Sequence, residues 1–212
     1  MEYSSARDPE RAASMTAYMR GQFPFLGLQQ AARRELSRRA LLDVGPPAES
    51  DLTSVALACW ELSEREYQYF ACDWLRRHAS VLTPASVPAI RALIVTKSWW
   101  DTVDALAAHV VGVMVTRHPA LLSTMDEWVA SDEMWLIRTA ILHQLRYKSR
   151  TDAERLLRYC AQHAGHKDFF IRKAIGWALR EYARTDPDAV RRFVKAQSTL
   201  SGLSVREALK HL

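Results

Sequence analysis

Glycine is scarce in this chain, with seven in 212 residues, and no stretch sustains an alternation of apolar and polar residues. Both absences argue against sheet-rich folds and for a mostly helical one. Cysteine is nearly absent too. Cys59, Cys72 and Cys160 are an odd number set inside apolar helical patterns, which excludes a disulfide framework and fits free buried thiols in a cytosolic protein. The longest apolar run, Ala105–Val115, is short and broken by His109, and the opening "MEYSSARDPERAASM" carries no signal-peptide run. A membrane span is therefore not expected, and the cytoplasm is the expected location. Missing as well are a Gly-rich phosphate loop, a G-x-S-x-G turn, a Cys–His nucleophile signature and the zinc-deaminase pattern. Cys160-x₂-His163-x₂-His166 is the sole tempting ligand cluster; its step of three keeps the residues on one helical face only briefly, and no metal is expected there.

What is present is core and positive charge. Apolar residues make up 49% of the chain, enough for a sizeable interior, and Lys+Arg exceed Asp+Glu by 29 − 24 = +5. A mild basic excess points toward a polyanionic partner without identifying one.

The second half hides a repeat. "TVDALAA" (102–108), "IRTAILH" (137–143), "IRKAIGW" (171–177) and "VREALKH" (205–211) align without gaps. Val103, Ile137, Ile171 and Val205 recur at a constant step of 34, as do Asp104, Arg138, Arg172 and Arg206, and Leu106, Ala140, Ala174 and Ala208. Such register is the mark of stacked supersecondary units. "EYQYFACDWL" (66–75) fits an earlier copy less well, shifted by a residue. Turn signals at Gly45-Pro46-Pro47, Thr83-Pro84, His118-Pro119, Gly165-His166 and Asp186-Pro187 divide the units into helix pairs. The tetratricopeptide pattern is missing, and "D-x-x-I-R-K-A" at Asp168–Ala174 is closer to HEAT repeats, where a small Ala lets the paired helix approach. The expected fold is all-α: a solenoid of HEAT-like repeats with a concave surface, on which Asp104, Arg138, Arg172 and Arg206 form or border a row.

"LIVTKSWWDTVDAL" (93–106) concentrates Lys97, Trp99, Trp100, Asp101 and Asp104 at one helix start. Adjacent helical residues point about 100° apart, so one of the two tryptophans is expected to face a groove. Trp60, Trp74, Trp128 and Trp135 read as packing residues. Asp101 fits a helix cap, and Asp104 fits either a structural ion pair or a groove-facing carboxylate. Gly176 is expected to leave room for a ligand beside Trp177. Lys97, Arg138, Arg146, Lys148, Arg150, Arg172, Lys173, Arg180 and Arg184, interleaved with tryptophan, describe a nucleic-acid groove, although each alone is a solvated surface residue.

Several stretches together resemble the bacterial AlkD-like family of DNA alkylation repair glycosylases along nearly the whole chain. They are "AYMRGQFPFLG" (17–27), "LSEREYQYFA" (62–71), "LIVTKSWWDTVD" (93–104), "WVASDEMWLIRTAILHQLRYK" (128–148) and "KDFFIRKAIGWALREYART" (167–185). The resemblance implies one domain over residues 1–212, HEAT-like helix pairs forming a C-shaped cleft for duplex DNA, and excision of positively charged N3- and N7-alkylated purines. It assigns the catalytic carboxylate to Asp104, the residues flanking the damaged nucleotide to Trp100 and Trp177, a key cleft residue to Arg138 and a DNA contact to Tyr18. Lys97, Arg146, Lys148, Arg172, Lys173 and Arg180 are the expected phosphate-binding cations. One departure is "LQQAARREL", without the proline many relatives carry before the Arg pair, which leaves the helix start there unsettled. The chain also stops early against the family pattern, at "EALKHL".

The chemistry suits these residues. An N-alkylated purine is already cationic and leaves readily, so the difficult task is stabilising an oxocarbenium-like sugar, for which a carboxylate serves. The resemblance further implies that the base stays in or near the duplex, so bulky adducts are tolerated. No cofactor or metal is needed, and a monomer is expected. Two alternatives stay open: a HEAT-repeat protein that binds DNA without excision, and a solenoid that binds other proteins.

Overall fold

The computed structural model describes residues 3–212, and among them helices and turns are present without a strand. Two compact units divide the chain at Leu93 and Ile94.

In the first unit, α1 (Pro9–Tyr18), α2 (Gln30–Ala40), α3 (Glu49–Glu61) and α4 (Arg65–Arg77) follow in order, and α5 (Val87–Val95) begins. Asp8 caps α1 by accepting from the Arg11 amide at 3.0 Å, with Pro9 at the first helical position. Without that proline α2 starts at Gln30, with Gln29 at the cap position and no side-chain cap hydrogen bond. α4 buries nearly a full face, including the fully enclosed Glu66. The Glu66 carboxylate accepts from the amides of Leu26, Gly27 and Leu28 at 2.9, 2.8 and 3.0 Å, pinning the "FLG" segment. Gly27 has φ +91, and a Cβ there would sit 2.1 Å from the Asp8 carbonyl, so this crossing requires glycine. Gln68 closes the α3–α4 turn by donating from Nε2 to the Cys59 and Leu62 carbonyls at 2.8 and 2.9 Å.

The second unit holds α6 (Trp100–Leu106), α7 (Gly112–Arg117), α8 (Leu122–Val129), α9 (Met134–Leu142), α10 (Ala153–Gln162), α11 (Phe169–Tyr182), α12 (Pro187–Ala196) and α13 (Gly202–Ala208). Asp152, Asp168, Asp186 and Ser201 cap α10, α11, α12 and α13 by accepting from amides two or three residues ahead. The four aligned segments fall on α6, α9, α11 and α13, and these helices touch in that order: α6 with α9, α9 with α11, α11 with α13. Leu106, Ala140, Ala174 and Ala208 are each fully buried. Side-chain bonds repeat the register: Asp104–Arg138, Val129–His163 and Lys173–Glu207 each join residues 34 apart. This is a helical-repeat fold. Between α6 and α7 the coil widens into a π-turn at Ala107–Val111. Every expected turn signal lies between helices or at a helix start.

Trp60, Trp74 and Trp128 are buried, as expected of packing residues. So are the three cysteines, and burial pushes the Cys59 thiol up to about 11. No helix is long and apolar enough to cross a membrane.

Candidate functional site

The site grows from the start of α6. The chain enters through Lys97, an exposed residue with left-handed backbone at φ +47, and Trp99 occupies the cap position in extended conformation. This corrects the expectation for Asp101: it lies in the first turn, where its charge suits the helix dipole, and is not the cap. Trp99 turns into an aromatic cluster. Its ring lies 5.0 Å from Phe170 and 6.3 Å from Trp135, and Trp135 lies 5.1 Å from Phe170. Trp100, half-buried, is four residues before Asp104 and therefore shares its helix face.

Asp104 meets Arg138 across neighbouring repeats. Arg138 Nε donates to Asp104 Oδ1 at 2.7 Å and Nη2 donates to Oδ2 at 2.7 Å, a planar two-bond pair. The remaining terminal nitrogen, Nη1, donates to the carbonyl of Phe170. The Arg138 side chain is 2% exposed and that of Asp104 17%, so the carboxylate forms the open edge of an otherwise enclosed pair. Burial pushes the Asp104 carboxyl above its ordinary value, and Arg138 opposes that rise. Each carboxylate oxygen keeps acceptor capacity beyond its bond to Arg138.

Two roles are open to Arg138, fixing a phosphate or orienting the Asp104 carboxylate, and its burial and bonds favour the second over a place on a positive surface. Each of its three nitrogens donates to Asp104 or Phe170, and its charge is matched by a carboxylate. Further along the 34-residue row, Arg172 Nε donates to the His166 carbonyl at 2.8 Å and Arg206 is exposed, so neither repeats the buried pairing of Arg138.

Trp177 lies among cations. Its ring centroid is 5.7 Å from the Arg138 guanidinium carbon, 5.8 Å from Lys173 Nζ and 5.9 Å from the Arg180 guanidinium carbon. Lys173 and Arg180 are bridged by Glu207 of α13, at 2.6 and 2.8 Å. They are therefore paired cations. A Cβ on Gly176 would come 2.5 Å from Glu207 Cβ and 3.1 Å from the Ser204 carbonyl. The space at Gly176 is thus filled by α13, which corrects the expectation that it admits a ligand.

The structure thus joins Asp104, Arg138, Trp177, Lys173 and Arg180 in one network, with Trp100 on the face of Asp104. Arg146 and Lys148 are exposed on the turn after α9, with Lys148 at φ +53. Tyr18, 73% exposed at the end of α1, belongs to the first unit. His163 Nε2 pairs with the Val129 carbonyl at 2.7 Å and His166 Nδ1 accepts from the Asp168 amide at 3.0 Å, so both imidazoles of the tempting cluster have structural partners. Among the described residues no group of three or more His, Cys, Asp or Glu could hold a metal ion. Sequence reasoning missed Phe170 and Glu207. The 34-step register held a signal for Glu207, since it stands one step beyond Lys173; nothing comparable marked a backbone carbonyl such as that of Phe170.

Comparison with known proteins agrees with this arrangement of helices. A structure described as a predicted DNA alkylation repair enzyme from Enterococcus faecalis is 34% identical, with 97% of this chain and 96% of that one covered and a TM-score of 0.89. AlkD2 from Streptococcus mutans is 18% identical over 87% of this chain and 92% of its own, with a TM-score of 0.67, a likeness of fold. No curated protein matches. The family model described as DNA alkylation repair enzyme matches residues 2–212, and the chain belongs to that family.

Proposed function

We propose that the protein is a DNA glycosylase that excises cationic N3- and N7-alkylated purines from duplex DNA, with residues 1–212 acting as one domain of HEAT-like repeats. The observation that carries this reading is the Asp104–Arg138 pair. It offers a fixed, partly exposed carboxylate edge, held by two 2.7 Å bonds from an Arg138 side chain that is 2% exposed.

Breaking the C1′–N bond sends the electron pair to the purine, which leaves neutral, and positive charge develops on the sugar. Asp104 stabilises that charge and orients a water molecule, whose oxygen bonds to C1′ as its proton passes to the carboxylate or to solvent. Arg138 is a positioning residue: it prevents the carboxylate from rotating and opposes its protonation. Its cost is partial neutralisation of the same carboxylate, so the benefit lies in preorganisation. Trp100 lies on the Asp104 face to meet the cationic nucleotide. Trp177 already has three cations within 6 Å. It serves better as a wall against sugar and backbone than as a receptor for further positive charge. Lys97, Arg146, Lys148, Arg172 and Tyr18 contribute DNA contacts. Carboxylate and tryptophan without an enclosing base pocket accommodate bulky adducts. The test is release of N7-methylguanine or N3-methyladenine from alkylated duplex; binding without release would assign the protein to non-catalytic DNA recognition.

A further inference from the structure

The first unit contains an open groove of about 370 Å³ between α2 and α4 that none of the site residues above touches. Arg34, Arg38, Arg76 and Arg77 line it, over a floor that includes Phe70 and Trp74. The two rings are nearly parallel, at 8° with centroids 6.4 Å apart, and both are buried. The one acid in the lining, Asp73, accepts from Arg33 Nη1 at 3.0 Å and so is already paired. Arg38 is held by Glu35 through two bonds of 3.0 and 2.8 Å. Among the described residues Arg34, Arg76 and Arg77 make no ion pair, and all three are exposed.

Helix ends account for part of this. Arg38 stands in the last turn of α2, and Arg76 and Arg77 in that of α4, where cations complement the helix dipole. The dipole explains neither Arg34, one turn back from Arg38, nor Trp74. The Trp74 indole Nε1–H is buried without any acceptor, and indole nitrogen can only donate. A groove with guanidinium groups on its rim suits a ligand whose acceptor oxygens carry negative charge.

We propose that this groove is a second nucleic-acid contact, taking backbone phosphates of the DNA strand. The ligand chemistry is phosphate oxygen: bidentate donation from the guanidiniums above the Phe70–Trp74 floor. Exposed arginines hold a small free phosphate weakly, whereas a polyanion adds counterion release for every phosphate neutralised. The choice of DNA over a free phosphate rests on the glycosylase reading. The groove supplies affinity and takes no part in the chemical step.

The experiment compares the full-length protein with the Arg34→Gln/Arg77→Gln double variant. Arg39→Gln is the charge control, on the same helix as Arg34 but outside the groove lining. Affinity for a short undamaged duplex is measured against salt. The slope of log K against log salt is expected to fall by roughly one to two in the double variant, at about 0.9 per phosphate lost, and to change little in Arg39→Gln. Excision from saturated alkylated duplex is expected to be unchanged. The indole ¹H–¹⁵N resonance of Trp74, assigned through Trp74→Phe, should shift when the duplex is added to wild type and stay still in the double variant. Equal slopes in all three proteins, or a Trp74 resonance that ignores DNA, would overturn the proposal. A Trp74 shift produced by inorganic pyrophosphate alone, with no change in DNA slope, would overturn it in favour of a small-phosphate site. A wild type that binds through the groove yet releases no base would sink the glycosylase reading and leave the groove standing; excision with unaltered salt slopes would do the reverse.

Discussion

Arg138 holds Asp104 by both carboxylate oxygens, at 2.7 Å each, while its third donor group reaches the Phe170 carbonyl. One side chain therefore ties α6, α9 and α11, the helices of three successive repeats, at the point where the carboxylate is partly exposed. Such a pair is costly to break from one side, because the partner left behind is a buried charge.

That geometry gives a prediction for Arg138→Gln. Stability should fall by roughly 3 kcal/mol, measured by urea unfolding. Burial already pushes the Asp104 carboxyl up, and the opposing influence of Arg138 is removed. In the proposed mechanism the ionised carboxylate is the working form, so activity is expected to be lost as pH falls through its pKa. The acid limb of the excision profile should therefore lie above the ordinary aspartate range in wild type and move to higher pH still in the variant. An acid limb that stays in place would show that Arg138 does not set the ionisation of Asp104.

Gly176→Ala should destabilise. Alanine is the better helix former by about 1 kcal/mol, but its Cβ would lie 2.5 Å from Glu207 Cβ, a contact that no rotation of the Glu207 side chain relieves. Overpacking of this kind costs about 1–3 kcal/mol, so packing outweighs propensity. Thermal unfolding reads the result; a raised Tm would mean that α13 is docked more loosely than the structure has it.

A third prediction concerns acid stability. His143 is fully buried, donates from Nδ1 to the Ala140 carbonyl at 2.6 Å as the neutral ring, and leaves Nε2 unpaired. Burial pulls its pKa down to about 4 from 6.5. Between those values the unfolded chain binds the extra proton, so stability is complete above about pH 6.5 and drains as pH falls toward 4, by roughly 3 kcal/mol. Asp126 adds a separate loss at lower pH. Burial raises its carboxyl, but hydrogen bonds from Arg155, Tyr159 and Arg158 outweigh that and hold it well below the ordinary range, so its contribution goes as pH drops below the usual aspartate value. Urea unfolding of wild type and His143→Phe across this window separates the two; identical pH dependence would remove His143 as the cause.

Much of this was legible in the sequence because repeats convert spacing into contact. The 34-residue step that aligns Asp104 with Arg138 is the step across which they bond. The same register aligned Arg172 and Arg206 with Arg138, yet only Arg138 has a carboxylate one repeat before it. Periodicity fixes which helix face a residue occupies, while the neighbour's identity decides whether it is a buried partner or a solvated cation. Gly176 was misread for a related reason: a missing side chain marks close approach, and the sequence does not say whether a ligand or another helix approaches. The cap of α6 fell to Trp99 through backbone conformation alone, without any of the side chains that announce a helix start.

The central claim is that the Asp104 carboxylate acts on the cationic transition state, and Asp104→Asn tests it most directly. Asparagine keeps the size and removes the charge, so affinity for a non-cleavable lesion analogue should change little. Asp101→Asn, in the first turn of the same helix, is the internal control. The measurement is single-turnover release of N7-methylguanine from alkylated duplex by the three proteins, each shown to be folded. The account predicts a fall of about two orders of magnitude or more for Asp104→Asn, on the scale of roughly 3 kcal/mol for one preorganised electrostatic contact, and near-normal release by Asp101→Asn. Undiminished release by Asp104→Asn, or an equal loss from Asp101→Asn, would contradict it.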